Sequence, residues 1–311
     1  MIINNIEVKP GETTSVEVHI ANLPSRTPID IIVTVARAVE PGPVLLLMGG
    51  LHGDEINGIE IVRRIIENGH HIPKRGTVIS IPIINIYGFI YFSRNVPDGK
   101  DVNRSFPGNK NGSLASRIAY YLMQDIIPKI DYGIDYHTGG ADRDNFPQVR
   151  CLLDDPVNLE LARAFNAPVT LHATFRPNSL RQSAAKLRKH IIVYEGGESS
   201  RLNENAIEHG MAGTIRMMNK IGISSVPVTE PGYKNQEFWH SSWIRARTSG
   251  IFQSLVNCGD AIHKNQQVGT ITDPFGEYRV QLKSHTAGRV IGLNNDPVLH
   301  QGDAVMHIGV S

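Results

Sequence analysis

The sequence is poor in cysteine, in net charge and in long apolar runs. Cys151 and Cys258 are the two cysteines among 311 residues, and they neither suggest a disulfide framework nor have the spacing of a metal site. Two isolated thiols favour a reducing compartment, so we expect a cytoplasmic protein. The formal net charge of +1 gives no indication of nucleic acid or an acidic membrane surface as a partner.

Long apolar segments are also missing. No apolar run approaches the roughly 20 residues that span a bilayer. The first five residues lack the basic and then apolar order of a signal peptide, so we expect neither a membrane protein nor a secreted one. A composition of 41% hydrophobic and 20% charged residues is that of a globular protein. The length suits one large domain and one small domain.

One stretch organises the rest of the chain. The apolar run 44–48 has the length of a buried strand, the glycine turn 49–55 follows it, and 56–68 has apolar residues at helical spacing. In an open α/β sheet, ligand sites lie at the carboxyl ends of strands. The turn contains His52 and Glu55, both of which are residue types that bind metals.

The turn has two other interpretations, a phosphate-binding loop and a helix N-terminus. A phosphate-binding loop is disfavoured because the glycines do not fit G-x-G-x-x-G, and because Asp54 and Glu55 carry negative charge. The turn is equally compatible with an acidic helix N-terminus that contains an incidental histidine. A distant third ligand decides between these interpretations.

Strands alternate with helices through most of the chain. We expect strands at 29–36, 44–48, 77–82, 131–137 and 191–194, and helices at 56–68, 114–127, 157–166, 183–189 and 205–221. This alternation predicts an α/β domain over 1–225, with a mostly parallel sheet covered by helices on both faces. The segment 85–112 has no clean periodicity, and a loop of this length is usually functional.

The pattern changes after Gly222. Residues 226–242 read as a linker. Residues 243–311 contain short β-like pieces separated by Gly, Asp and Pro, the clearest of which are 249–252, 268–272, 278–282 and 304–308. This part predicts a small all-β domain.

Three predicted strand ends meet at one edge of the sheet. They carry His52 with Glu55, then His137, and then Glu195. Two imidazoles and one carboxylate are the His₂Glu ligand set of catalytic zinc, which leaves a coordination position for water. Asp135 lies two residues before His137, so both side chains share one face of their strand; an orienting role and a purely structural role stay open.

The motifs around these residues resemble those of the aspartoacylase and succinylglutamate desuccinylase family of the zinc carboxypeptidase superfamily. The matching pieces occur in the family's order over about residues 44–197, as Gly50-Leu51-His52-Gly53-Asp54-Glu55, Asp101-Val102-Asn103-Arg104-Ser105-Phe106-Pro107-Gly108, Asp135-Tyr136-His137 and Tyr194-Glu195-Gly196-Gly197.

The resemblance implies roles for individual residues. It implies Zn²⁺ on His52, Glu55 and His137, with Glu195 as the general base. It also implies that Asn103 and Arg104 grip a carboxylate of the substrate. A planar guanidinium matches a carboxylate with two parallel hydrogen bonds, which agrees with that assignment.

Two further arginines fit the family pattern less closely. Arg94 is a candidate for stabilising the oxyanion of the reaction, although its spacing to Arg104 is not the family's usual one. Arg181 is a candidate for holding a second acidic group, as a similar arginine does in aspartoacylase. It lies further from Glu195 than expected, so a solvated helix charge is an equal alternative and the acyl specificity stays open.

The C-terminal part resembles the barrel-sandwich fold of biotinyl and lipoyl domains. Those domains display a modifiable lysine at a hairpin tip. The corresponding turn here, 273–276, contains no lysine, which argues against a carrier role. A structural cap, a subunit contact and a wall of the zinc cleft stay open.

The leading hypothesis is a zinc-dependent amidohydrolase that removes the acyl group from a small-molecule N-acyl amino acid. The alternatives are a metallocarboxypeptidase acting on peptides and a catalytically silent metal-binding scaffold. The sequence leaves homo-oligomerisation open.

Overall fold

The computed structural model describes residues 1–310 and has a mixed α/β architecture around one large sheet. The strands are, in chain order, β1 (Ile2–Ile3), β2 (Ile6–Glu7), β3 (Thr13–Asn22), β4 (Pro28–Arg37), β5 (Val44–Met48), β6 (Thr77–Ile81), β7 (Tyr132–Gly139), β8 (Arg143–Cys151), β9 (Val169–His172), β10 (His190–Glu198), β11 (Gln236–Phe238), β12 (His240–Arg245), β13 (Gly250–Ser254), β14 (Ala261–Ile262), β15 (Gln267–Thr272), β16 (Arg279–Lys283), β17 (Gly288–Asn294), β18 (Val298–Leu299) and β19 (Ala304–Val310).

The helices lie mainly in the first two thirds of the chain. They are α1 (Ile56–Glu67), α2 (Ile86–Ile90), α3 (Leu114–Tyr121), α4 (Pro156–Phe165), α5 (Leu180–Lys186) and α6 (Glu204–Lys220). A π-helical turn at Leu122–Ile126 and a 3₁₀ turn at Ile127–Lys129 follow α3, and Val102–Arg104 forms a further 3₁₀ turn.

The centre of the large sheet is parallel. Strand β5 lies between β6 and β7, and β7 is followed by β10, with all four strands running in the same direction. Antiparallel strands flank this centre, β4 and β3 beyond β6 and β8 beyond β10. The carboxyl ends of β5, β7 and β10 therefore meet at one edge of the sheet.

Helices cover both faces of this sheet, as the side chains of β5 show. Leu45 and Leu47 pack into a core with α1, α4 and α6, whereas Leu46 and Met48 pack into a second core with α3. Successive residues of a strand point to opposite faces, so a continuous apolar run is what a doubly covered strand requires. The predicted α/β class is confirmed.

The C-terminal strands form a small two-layered β structure. Strands β16, β15, β13 and β18 form a separate sheet, and β12, β19 and β17 pair in a line that reaches β8 of the large sheet. The two layers enclose a core of their own, which includes Phe252, Val268 and Ile308. The predicted small β domain is thus present, while the predicted division at 225 and 242 stays a prediction. The lysine-free turn 273–276 joins β15 to β16.

Several predicted elements differ from those in the structure. The helix expected at 183–189 begins earlier, at Leu180, and the segment 85–112 contains α2 and a 3₁₀ turn. The strand expected at 191–194 continues through Glu198. Strand β8 was not predicted, because its sequence lacks apolar alternation and contains Pro147.

No helix within residues 1–310 is long and apolar enough to cross a membrane.

Close backbone packing fixes the turn after β5. A side chain on Gly53 would place its Cβ 1.9 Å from the backbone carbon of Gly88 in α2, so this position has room only for hydrogen. Helix α1 also approaches β7 closely, since a Cβ on Gly58 would lie 2.7 Å from Cβ of Tyr136. These two contacts hold the turn that carries His52 and Glu55.

The close approach of α1 to β7 predicts the effect of Gly58→Ala. Alanine stabilises a helix interior by about 1 kcal/mol relative to glycine. Overpacking of a tight core costs typically about 1–3 kcal/mol, so we expect a net loss of stability and a lower Tm in thermal unfolding. The exposed α6 variant Glu208→Ala is the control and should leave Tm nearly unchanged. A Tm for Gly58→Ala at or above that of the wild type would contradict this packing argument.

Candidate metal centre

Three side chains of metal-binding type converge at the edge where the parallel strands end. His52 and Glu55 lie in the turn after β5, and His137 lies near the end of β7. Their ligand atoms all lie within 4.8 Å of one another, and all three residues are buried. Glu55 Oε1 is 2.8 Å from Nδ1 of His52, and Glu55 Oε2 is 2.7 Å from Nδ1 of His137.

The spacing of the two imidazoles suits a tetrahedral cation site. Their Nδ1 atoms are 3.2 Å apart. Zinc–nitrogen bonds of about 2.0–2.1 Å in a tetrahedron place two ligand atoms about 3.3 Å apart. The cluster therefore presents two nitrogens and a carboxylate to a common point, as the residues of a zinc site would.

The charges around the cluster also favour a cation. Burial alone would raise the pKa of Glu55, yet the two imidazoles hold it well below its ordinary value. Burial alone would lower the pKa of His137, yet Asp135 and Glu55 raise it well above its ordinary value. The pKa of His52 is raised in the same way, since Glu55 and Asp101 outweigh its burial. Imidazoles bind a metal in their neutral form, and in that form the three carboxylates of Glu55, Asp101 and Asp135 outnumber the guanidinium of Arg94, which leaves an excess of negative charge for a cation.

Each imidazole has an aspartate at its other nitrogen. Nε2 of His52 lies 3.2 Å from Oδ1 of Asp101, and Nε2 of His137 lies 2.8 Å from Oδ2 of Asp135. The second contact is close but lacks the alignment of a hydrogen bond, and both Asp135 oxygens are buried without such a bond among the described residues. Carboxylates in this position orient histidine ligands and increase their basicity.

Arg94 reaches this cluster from the long loop. Its guanidinium donates to Glu55 Oε1 at 3.1 Å and to Asp101 Oδ2 at 3.0 Å. Burial alone would raise the pKa of Asp101, but His52 and Arg94 hold it well below its ordinary value. The structure thus brings Arg94 to the predicted site and pairs its charge with two carboxylates there.

Glu195 lies on the neighbouring strand, in direct register with His137. Registered residues of adjacent strands share one face of a sheet, so Glu195 and His137 point to the same side. The Glu195 carboxylate accepts a hydrogen bond from Nδ2 of Asn145, and its Oε1 lies 3.0 Å from Nη1 of Arg150. Its predicted catalytic role stays a prediction.

Asn103, Arg104 and Arg181 lie outside the cluster. Asn103 Oδ1 accepts from the backbone N–H of Leu180 at 3.0 Å, and Arg104 is exposed and donates to the backbone oxygen of Asn103. Arg181 is half-buried and donates to the backbone oxygen of Ala173; burial lowers its pKa. Among residues 1–310 these three side chains make no hydrogen bond or ion pair with His52, Glu55 or His137.

Three residues at the site were not predicted as site residues. Asp101 begins the quoted Asp101-Val102-Asn103-Arg104 motif, and a carboxylate ahead of a predicted binding pair is a signal that could have identified it. Asn145 and Arg150 lie on β8, which was itself not predicted. Their positions next to Glu195 depend on strand pairing that the sequence pattern does not indicate.

Comparison with known proteins identifies the family of the chain. Residues 41–221 match the family described as the succinylglutamate desuccinylase/aspartoacylase catalytic domain. The chain is 31% identical over 289 residues to the N-alpha-acetyl-L-2,4-diaminobutyric acid deacetylase of Halomonas elongata. The alignment covers 88% of this chain and 84% of that protein.

Solved structures share the fold. A product-bound ectoine utilization protein from Ruegeria pomeroyi aligns with a TM-score of 0.85 at 20% identity, over 98% of this chain and 100% of that chain. A succinylglutamate desuccinylase/aspartoacylase from Rhodobacter sphaeroides aligns with a TM-score of 0.84 at 24% identity, over 96% of each chain. At these identities the likeness concerns the fold alone.

The contact between Asp101 and His52 predicts a change in metal affinity. Loss of a carboxylate behind a ligand histidine typically weakens metal binding by roughly ten- to a hundred-fold, so we expect this for Asp101→Asn. The measurement is zinc affinity by competition with a chromophoric chelator. Asp98→Asn is the matched control, because Asp98 lies on the same loop with a 41% exposed side chain. Equal affinities in both variants would mean that His52 is oriented by other contacts.

Proposed function

Because the chain belongs to the succinylglutamate desuccinylase/aspartoacylase family, we propose that it is a zinc-dependent hydrolase that removes the acyl group from an N-acyl amino acid. The observation that carries this proposal is the buried convergence of His52, Glu55 and His137 within 4.8 Å. The name of the Halomonas relative supports an N-acetyl amino acid as the first substrate to test.

His52, Glu55 and His137 would hold the zinc ion. Three protein ligands are the number found in catalytic zinc sites, which leave a further coordination position open, whereas structural zinc sites usually have four. The chemistry that zinc supplies when bound is polarisation of the scissile carbonyl and a shift of the pKa of a coordinated water toward about 7. Asp101 and Asp135 would keep the two imidazoles in their ligating orientation.

Glu195 is the proposed general base. A carboxylate beside the attacking water accepts its proton and returns it to the leaving amine. The register of Glu195 with His137 supports this role, because it places the carboxylate on the same face as a metal-binding imidazole. Arg94 would place a positive charge beside Glu55, where it can stabilise negative charge that develops on the carbonyl oxygen.

Asn103, Arg104 and Arg181 are the proposed substrate-binding residues. Arg104 is exposed on the loop that also carries Arg94 and Asp101, so its guanidinium is free to meet a carboxylate of the substrate. Asn103 ties this loop to the first turn of α5, the helix that carries Arg181. This link supports a binding surface formed jointly by the loop and α5.

A hydrolysis screen tests the proposed function. N-acetyl, N-succinyl and N-formyl amino acids are incubated with the protein, with and without added zinc, and release of the free amino acid is measured. We expect zinc-dependent release, one zinc ion per chain, and loss of both in His52→Ala and His137→Ala. Short peptides in the same screen test the carboxypeptidase alternative. Inactivity on every compound would favour a silent scaffold.

Replacement of Glu195 tests the assignment of the base. Glu195→Gln preserves the shape of the side chain and removes proton transfer, so kcat should fall typically about 10²–10⁴-fold. Zinc content and KM should change little, because the ligands and binding groups lie elsewhere. Near wild-type kcat in this variant would mean that the base is another residue, and that this mechanism is wrong.

A further inference from the structure

The Glu195 carboxylate projects from a bulge that interrupts two strand ladders at once. The register of β10 shifts between Glu195 and Gly197 in its pairing with β8, and between Glu195 and Glu198 in its pairing with β7. A bulge bends its strand and changes the direction of a side chain. The direction of this carboxylate therefore depends on the contacts that hold the bulge.

Both partners of the carboxylate belong to β8. Asn145 donates its amide N–H to Oε2, and Arg150 places Nη1 3.0 Å from Oε1. An ionised carboxylate offers about four acceptor positions, so two donors leave each oxygen able to accept a further proton. Asn145 and Arg150 can therefore fix the orientation of Glu195 without blocking its action as a base.

The opposite edge of β8 is paired with the C-terminal strand β17. Gly292 is in register with Asn145, and a Cβ at position 292 would lie 2.9 Å from Oδ1 of Asn145. Gln148, the β8 residue in register with Glu195, donates Nε2 to the backbone oxygen of Ile291 at 2.7 Å. Strand β17 thus contacts the two β8 residues that lie next to the base.

We propose that the C-terminal β structure positions the general base. The missing side chain at Gly292 leaves the space that the Asn145 amide occupies, and Asn145 together with Arg150 aims the Glu195 carboxylate. Asn145, Arg150 and Gly292 are positioning residues in this proposal, which rests on the proposed function of Glu195. The C-terminal domain then has a part in catalysis as well as in folding.

Gly292→Ala tests this proposal directly. The added methyl group meets the outer end of a flexible side chain, so Asn145 should move while the fold persists. Small displacements of catalytic groups cost up to about a hundred-fold in rate, so we expect kcat to fall roughly ten- to a hundred-fold with KM and zinc content little changed.

Gly269→Ala on β15 is the matched control. A Cβ at this position would lie 2.6 Å from the Phe252 ring, on a strand of the separate four-stranded sheet, which does not pair with β8. This variant should lower Tm at least as much as Gly292→Ala does, because an aromatic ring has less freedom to move, but it should leave kcat unchanged. If kcat fell in both variants in proportion to the loss of Tm, the effect would be one of stability and the proposal would be overturned.

A double-mutant cycle identifies the route of the effect. Asn145→Ala should lower kcat to a similar extent, and Gly292→Ala should add nothing in that background, since residues that act through one another are not additive. Arg150→Lys, which keeps a charge, should retain more kcat than Arg150→Met. These variants also test the proposal if Gly292→Ala does not fold.

The failure of this proposal differs from failure of the proposed function. Wild-type kcat in both Gly292→Ala and Asn145→Ala, or independent effects in the cycle, would overturn the positioning role while Glu195→Gln remains inactive. A fully active Glu195→Gln enzyme would instead show that Glu195 is not the general base, and the premise of this inference would then be wrong.

Discussion

The parallel pairing of β5, β7 and β10 is the constraint on which the candidate site depends. It brings three strand ends to one edge, and each end contributes a part of the polar cluster. His52 and Glu55 follow β5, His137 lies in β7 and Glu195 lies in β10. Side chains that are far apart in the chain therefore meet at the carboxyl ends of neighbouring strands, and sites supported by rigid strands are located more accurately than sites on long loops.

The cluster concentrates charge where water is largely excluded. Glu55 is 2% exposed and Asp135 is 1% exposed, and an isolated carboxylate at such depth would be costly. The structure offsets this cost by surrounding the carboxylates with imidazoles and with Arg94. The same arrangement orders the histidines before any ligand arrives, because Asp101 and Asp135 face their outer nitrogens. Stability and readiness to bind a cation thus have one physical origin.

The sequence predicted the parts of the molecule that depend on local pattern. The apolar run of β5, the helical spacing of α1 and the strand end at His137 each indicated their structure, and together they indicated the metal cluster. The sequence did not predict β8, because Pro147 and the polar residues of 143–151 are not typical of a strand. This segment is a strand because neighbouring strands pair with both of its edges. Asn145 and Arg150 were not predicted as site residues for the same reason, because they lie on β8. Helix α5 begins earlier than the sequence predicts because two contacts determine its first turn. Asn103 accepts a hydrogen bond from the backbone of Leu180, and the Ser179 side chain caps the helix.

The pairing of β8 with β17 has a consequence for biosynthesis. The Gln148 side chain and the backbone of Ile291 that it contacts are 143 positions apart in the chain. A chain that emerges from the ribosome in order can assemble the parallel centre of the sheet early, but it cannot complete the edge of β8 until β17, at Gly288–Asn294, has been translated. Strand β9 can cover residues 148–151 of that edge, but residues 143–145 stay unpaired during that interval, and exposed strand edges favour aggregation. Folding of this protein should therefore depend on the speed of translation through β17 and on chaperones that shield strand edges.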